Sequence, residues 1–231
     1  MQAPDSPVAG LFVAGLGYRQ GLLDLRKHPP IAAVIHTTGG GVLTRFAREG
    51  ARKGDATSFE TAVRVYTQIM GASGHYVVGQ LGQCTQVVPE SFSAWHVGAA
   101  KSKPYALPQA EWMTHALAWW GERWPGLNSP RDLAGGLLWR DGSCNANVVG
   151  IEVVPPVSGA RHLWSPECWV TLARLVRDIA RRHVIAEDRE HVISHSDAHP
   201  IARSAKGAPW DPPSTQFDWA RMRKALDDLK C

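Results

Sequence analysis

Apolar residues in this chain form several short continuous runs, which are typical of strands that are buried on both faces. The first run covers residues 31–35 and ends at His36, and another covers residues 148–154. Two shorter runs, 75–79 and 84–88, are separated by a stretch that contains a glycine, which predicts a hairpin. The pattern therefore predicts a sheet with buried strands.

Other apolar residues recur at the period of a helix. Residues 57–60 have the spacing of a capping box, which predicts a helix from there to about Met70. Residues 165–167, Ser-Pro-Glu, stand in the order that a helix start prefers. One apolar stripe with charged residues opposite follows them, namely Trp169, Leu172, Ala173, Val176 and Ile179 against Arg174, Arg177, Asp178 and Arg181.

A short strand at residues 191–194 and an amphipathic helix over residues 217–229 complete the pattern. Strands that alternate with helices predict the α/β class, with a central, mostly β sheet flanked by helices. Residues 1–30, punctuated by Pro and Gly, are expected to be an irregular lead-in, and residues 31–231 a single domain. Residues from about 99 to 147 interrupt that domain as a Trp-rich insertion.

The insertion contains several of the ten tryptophans in the chain. Trp112, Trp119 and Trp120 fall at helical spacing, which favours a place in the core. Trp124 and Trp139 stand in loop-like sequence, where both a core position and stacking on sugar rings stay open.

The composition is that of an ordinary globular protein, with 44% apolar and 20% charged residues. The net charge of +4 is mild and no Lys- or Arg-rich block is present, which favours a solvated basic surface over a nucleic-acid interface. Neither a secretory leader nor a membrane span is expected from the N-terminal sequence and the apolar runs. The four cysteines are widely spaced, and both one disulfide bond and buried free thiols stay open.

Polar residues with catalytic potential stand where predicted strands end, which is where α/β folds place their sites. They are His36, His96, Glu152 and, in the loop after the last strand, His195, Asp197, Lys206 and Asp211. A single histidine in such a place is more often structural than a ligand. Together, however, these residues supply the imidazoles and carboxylates of a catalytic zinc site, which needs three protein ligands and one open position.

The motifs around these residues resemble those of the type 2 N-acetylmuramoyl-L-alanine amidases, zinc enzymes related to peptidoglycan-recognition proteins. The resemblance runs from about Ile31 to about Trp219, apart from the insertion. It rests on VIHTT, GHYVV leading to QVVPE, AWHVG, VGIEV and HSD…DP…FDW, which occur in the family's order. It implies the family's fold, and a hydrolase that cuts the amide between N-acetylmuramic acid and L-alanine in peptidoglycan.

Carried over residue by residue, the resemblance implies that His36, His195 and Asp211 bind one zinc ion per chain. It makes Glu152 the general base and Lys206 the group that stabilises the oxyanion. The family's lysine stands two residues before the aspartate, whereas four residues separate Lys206 from Asp211 here. Both a catalytic and a surface position therefore stay open for Lys206.

Further expectations concern the residues around these groups. Thr37, Trp95 and His96 are expected to contact the substrate, with His96 lining the groove rather than binding metal. Asp197 is expected to hold its loop or to hydrogen-bond a ligand histidine. His75 is expected to be structural, packed beneath the hairpin.

Other functions stay open beside the zinc amidase. A non-catalytic peptidoglycan-binding protein shares the fold but needs neither metal nor base, and a zinc peptidase is disfavoured because HExxH is absent. A cytosolic wall-recycling amidase shares the chemistry. We expect a monomeric, bacteriolytic endolysin that is cytoplasmic until its release to the cell wall. Its expected substrate is peptidoglycan or muropeptides, with neither nucleic acid nor membrane as a partner.

Overall fold

The computed structural model describes residues 2–38, 54–69, 74–97, 144–156, 163–198, 212 and 217–230, and the backbone alone for 54–58. The strands are β1 (Leu11–Phe12), β2 (Ala32–Thr37), β3 (Tyr76–Val78), β4 (Cys84–Gln86), β5 (Val148–Val153) and β6 (Val192–Ser194). The helices are α1 (Leu16–Arg19), α2 (Gly54–Gln68), α3 (Pro166–His183), α4 (His195–Ala198) and α5 (Trp219–Asp228), with a 3-10 turn at Cys144–Ala146.

The strands form one six-stranded sheet in the order β1-β4-β3-β5-β2-β6. Neighbouring strands are parallel, except in the predicted hairpin, where β3 and β4 are antiparallel. In the centre, β2 pairs with β5 so that His36 lies opposite Glu152. Paired residues of parallel strands point to the same face, so both side chains leave the sheet on one side. The predicted α/β class, a central sheet with flanking helices, is confirmed.

The two faces of β5 have different roles. Val149, Ile151 and Val153 are buried in the main core together with the apolar stripe of α3. The alternating residues Gly150 and Glu152 lie on the other face, because side chains of a strand alternate between its two sides. One face of the sheet thus packs on α3, and the other carries a second apolar cluster, including Ala32, Val34 and Val148, before it ends in polar side chains.

The start of α3 follows its predicted signal. Ser165 is the N-cap, and its hydroxyl oxygen accepts a hydrogen bond from the backbone N–H of Cys168 at 3.1 Å. The start of α2 does not follow its signal, because this helix begins at Gly54 rather than at residues 57–60. A capping box stabilises a helix end without forcing one, so the helix can begin earlier in the chain.

The N-terminal segment, expected to be irregular, contributes β1 and α1 to the fold. The Asp5 carboxylate accepts hydrogen bonds from Nε2 of Gln86 at 2.6 Å and from the backbone N–H of Glu90 at 2.7 Å. These bonds and the pairing of β1 with β4 tie the segment to the sheet. The domain boundary at residue 30 stays a prediction.

Two expectations from composition concern the cysteines and membrane-spanning helices. Cys84, Cys144 and Cys168 are buried free thiols, whereas Cys231 lies outside the described part of the chain. No helix among the described residues combines the length and apolar character that crossing a membrane requires.

A buried carboxylate, Glu90, ties the C-terminal end of α3 to the sheet. It accepts hydrogen bonds from the Tyr76 hydroxyl at 2.6 Å and from Nη2 of Arg182 at 2.9 Å, and it pairs with His183 at 2.6 Å. Burial acts to raise the pKa of Glu90, but hydrogen bonds from His183, Arg182 and Tyr76 outweigh it and hold the pKa well below its usual range. The folded protein therefore favours the charged form of Glu90.

Replacing this carboxylate should destabilise the protein in a pH-dependent way. A depressed carboxyl pKa contributes stability that is present above the unfolded-state value of about 4.3 and is lost as the pH falls towards the folded-state value. Glu90→Gln should therefore lower the free energy of unfolding by about 3 kcal/mol at pH 7, and by less at pH 3. Urea denaturation at pH 7, 5 and 3 measures both values.

The matched control for this prediction is Asp178→Asn, which removes the other, more exposed carboxylate bound to Arg182. This half-buried ion pair is partly screened by solvent and contributes less than a buried one, so the change should cost under about 1 kcal/mol at each pH. Equal stability of Glu90→Gln and the wild type at pH 7 would show that the network does not hold α3.

Candidate functional site

Three imidazole rings meet at the carboxyl ends of the central strands. Ile35 pairs in register with Ser194, so the residues that follow them, His36 and His195, are neighbours. Their ring centroids are 4.6 Å apart, and the ring of His96 lies 4.9 Å from that of His36. Nε2 of His36 is 2.8 Å from Nδ1 of His96, which is hydrogen-bond distance. The fold thus brings together two predicted metal ligands and one predicted substrate contact.

The carboxylate of Glu152 belongs to the strand beside these rings. Glu152 is only 7% exposed and pairs in register with His36. A Cβ on Gly74 would lie 3.0 Å from Cγ of Glu152, so the side chain is closely packed on that side. A fixed, largely desolvated carboxylate beside a metal site can accept a proton from water, which is the role predicted for Glu152.

The ring of His96 packs on the backbone of Gly150. A Cβ at residue 150 would lie 2.6 Å from each of three ring atoms, so only glycine fits there. The backbone N–H groups of His96 and Val97 donate to Oδ1 of Asn145, at 3.2 and 2.8 Å. Burial, and then the neighbouring imidazoles of His36 and His75, hold the pKa of His96 well below its usual range. The ring of His96 is therefore neutral at pH 7.

His75 supports the site because its ring contacts backbone groups on both sides. Its Nδ1 accepts a hydrogen bond from the backbone N–H of Gly150 at 2.9 Å, and its Nε2 lies 3.0 Å from the backbone oxygen of Phe92. Burial, and then the nearby guanidinium of Arg26, lower the pKa of His75 to about 3. These contacts match the structural role that was expected for His75.

Asp197 fixes the turn that carries His195. Its Oδ2 accepts hydrogen bonds from the backbone N–H and the hydroxyl of Ser194, at 2.8 and 2.6 Å. The same oxygen accepts a hydrogen bond from Nη2 of Arg189 at 2.6 Å, and the Arg189 guanidinium lies 3.4 Å from the ring centroid of Trp219. Asp197 was expected either to hold its loop or to hydrogen-bond a ligand histidine. These contacts support the first of the two roles.

Only some of the remaining predicted residues belong to the described part of the chain. Trp95, which directly precedes His96, is 43% exposed, and Thr37, which directly follows His36, is half-buried. Lys206 and Asp211 lie outside the described residues, as do the five tryptophans of the insertion. Contacts of all these residues with a substrate or a metal stay predictions.

The described part of the site supplies side chains that suit zinc as ligands. Within it, no three His, Cys, Asp or Glu side chains are grouped to hold a metal ion. Two of the three predicted ligands are described, His36 and His195, and the separation of 4.6 Å between their rings suits two imidazoles on one ion. Imidazole nitrogens are among the ligands that zinc takes in proteins. The residues present therefore fit zinc as far as they are described.

Several supporting residues, among them Gly150, Asn145 and Arg189, were not predicted from the sequence. Gly150 had a readable signal, because an isolated glycine inside a strand often marks the close approach of another group. Asn145 had none, since its partners are backbone groups of a segment that only the fold brings close.

Comparisons with known proteins bear on the family and the fold. A family model described as N-acetylmuramoyl-L-alanine amidase matches residues 26–213. A solved structure described as a Se-Met AmpD derivative is similar with a TM-score of 0.52 at 19% identity, over 97% of this chain and 99% of that chain. The E90A mutant of PlyL is similar with a TM-score of 0.50 at 14% identity, over 98% and 99%. A comparison with curated proteins finds no significant match.

Proposed function

Because the chain belongs to the N-acetylmuramoyl-L-alanine amidase family, a family of peptidoglycan amidases, we propose that it is a zinc-dependent lytic amidase. It hydrolyses the amide between N-acetylmuramic acid and the L-alanine of the stem peptide. The observation that carries this proposal is the meeting of His36 and His195 beside Glu152 at one end of the sheet. A binding protein without catalysis would need neither the paired imidazoles nor the buried carboxylate.

The proposed metal centre has His36, His195 and Asp211 as its ligands. The described residues support the first two, because strand register fixes His36 beside His195 and Asp197 braces the turn that carries His195. Asp211 is proposed from the resemblance alone. When bound, zinc would lower the pKa of a coordinated water to about 7 and polarise the scissile carbonyl.

Glu152 is the proposed general base and, later, the general acid. Its carboxylate accepts a proton from the attacking water and delivers it to the amine of L-alanine as the amide bond breaks. Burial and close packing against Gly74 hold the carboxylate in place, so little reorganisation is needed during the reaction. Glu152 lies beside His36 in the sheet, so base and metal ligand share one end of the fold.

Lys206 is proposed as a cation that stabilises the oxyanion, with Thr37 and Trp95 as substrate contacts. A fixed cation at this point would contribute a few kcal/mol, or about two to three orders of magnitude in rate. Trp95 has the exposure that stacking on a sugar ring or a peptide requires, because nearly half of its side chain faces solvent.

Product analysis tests the proposed reaction. Purified sacculi treated with the protein should yield glycan strands without stem peptides, together with peptides that begin with L-alanine, both identified by mass spectrometry. Cleavage inside the stem peptide would indicate a peptidase, and binding without any product would indicate a recognition protein. Faster turnover of soluble muropeptides than of intact sacculi would replace the lytic role with wall recycling.

A further inference from the structure

A hydrogen bond between two histidines of the site indicates which nitrogen of His36 binds the metal. Nε2 of His36 lies 2.8 Å from Nδ1 of His96, and both residues are buried. A neutral imidazole has one N–H and one acceptor nitrogen, so only one of these two nitrogens donates. A metal-bound imidazole is also neutral, and it carries its single proton on the nitrogen that does not bind the metal.

We propose that His96 is a positioning residue whose Nδ1 accepts the Nε2–H of His36 and thereby makes Nδ1 of His36 the metal-binding atom. This role of His96 rests on the proposed zinc site. It goes beyond a groove-lining contact with the substrate, because His96 acts here through a ligand. The hydrogen bond also fixes the plane of the His36 ring, since the two rings are held at 86° to one another.

The surroundings of His96 are built to hold its ring in that position. The ring is fixed from below by Gly150, where any Cβ would lie 2.6 Å from three ring atoms. The backbone on either side of it is fixed by Oδ1 of Asn145, which accepts hydrogen bonds from two successive N–H groups. Gly150 is itself held by His75 through both its N–H and its carbonyl oxygen, at 2.9 and 2.7 Å. A side chain that only lined a groove would not need this support.

Zinc affinity of two variants separates the positioning role from substrate contact. His96→Leu removes the acceptor, and we expect it to weaken zinc binding by about 10- to 100-fold in competition with a chelator. His96→Asn keeps an oxygen acceptor near the place of Nδ1 and should bind zinc within about threefold of the wild type. Trp95→Leu is the matched control, since it changes the neighbouring predicted substrate contact and should leave zinc affinity unchanged.

A measurement on the wild-type protein covers the case in which a variant does not fold. In ¹⁵N-labelled protein loaded with zinc, the His36 ring should carry its proton on Nε2 and show scalar coupling across the hydrogen bond to Nδ1 of His96. A proton on Nδ1 of His36 would overturn the proposal.

Unchanged zinc affinity of a folded His96→Leu protein, with a raised KM, would also overturn the proposal and leave His96 as a substrate contact. A wild-type protein that binds no zinc would instead overturn the proposed metal centre, and the role of His96 with it. The two failures are therefore distinguishable.

Discussion

Protein stripped of metal by a chelator should lose amide hydrolysis by about 10³-fold or more, and added zinc should restore it. The physical reason is that a bound metal supplies several kcal/mol of transition-state stabilisation, and each 1.36 kcal/mol corresponds to tenfold in rate. Elemental analysis before and after treatment should show near one zinc per chain and then none. Turnover by a protein shown to be free of transition metal would contradict the proposed mechanism.

Two histidine variants test the proposed metal centre by mutation instead of by a chelator. His195→Ala removes a proposed ligand and should lose both zinc and activity. His191→Ala is the matched control, because His191 lies just before the same strand and contacts Asp188 at 2.6 Å instead of the site. It should keep zinc content and turnover. Equal loss in both variants would mean that the effect comes from disturbance of β6 rather than from the metal centre.

Glu152→Gln should lower kcat by about 10²-fold or more while zinc content and the fold are retained. The amide has nearly the same shape as the carboxylate, so the packing against Gly74 is preserved. It cannot accept the proton of the attacking water, however, so the loss should be confined to the chemical step. Steady-state kinetics on a defined muropeptide and elemental analysis measure the two properties separately.

The matched control for this variant is Glu187→Gln, the same chemical change at a glutamate that is paired with Arg177 outside the site. It should cost some stability and leave kcat unchanged. Wild-type kcat in Glu152→Gln would move the proton transfer to another group. A loss of zinc in that variant would instead make Glu152 part of the metal site.

The sequence by itself determined the central elements and the residues available for chemistry, although it did not predict β1 and α1. The apolar runs predicted β2 and β5 to within a residue or two, because a strand buried on both faces needs continuous apolar sequence. The start of α3 was readable because its capping signal, at Ser165, lies within a few residues. The motifs around His36, Glu152 and His195 identified the family, since they join particular side chains to particular strand ends.

Only the tertiary structure decided how those side chains meet. The pairing that sets His36 opposite Glu152 and beside His195 depends on the register between strands that are distant in sequence. His36 and His96 are 60 positions apart in the sequence. The hydrogen bond between them requires the two rings to be placed to within a few tenths of an ångström. Periodicity and propensity act over a few neighbouring residues, whereas strand register and side-chain hydrogen bonds are fixed by packing of the whole chain.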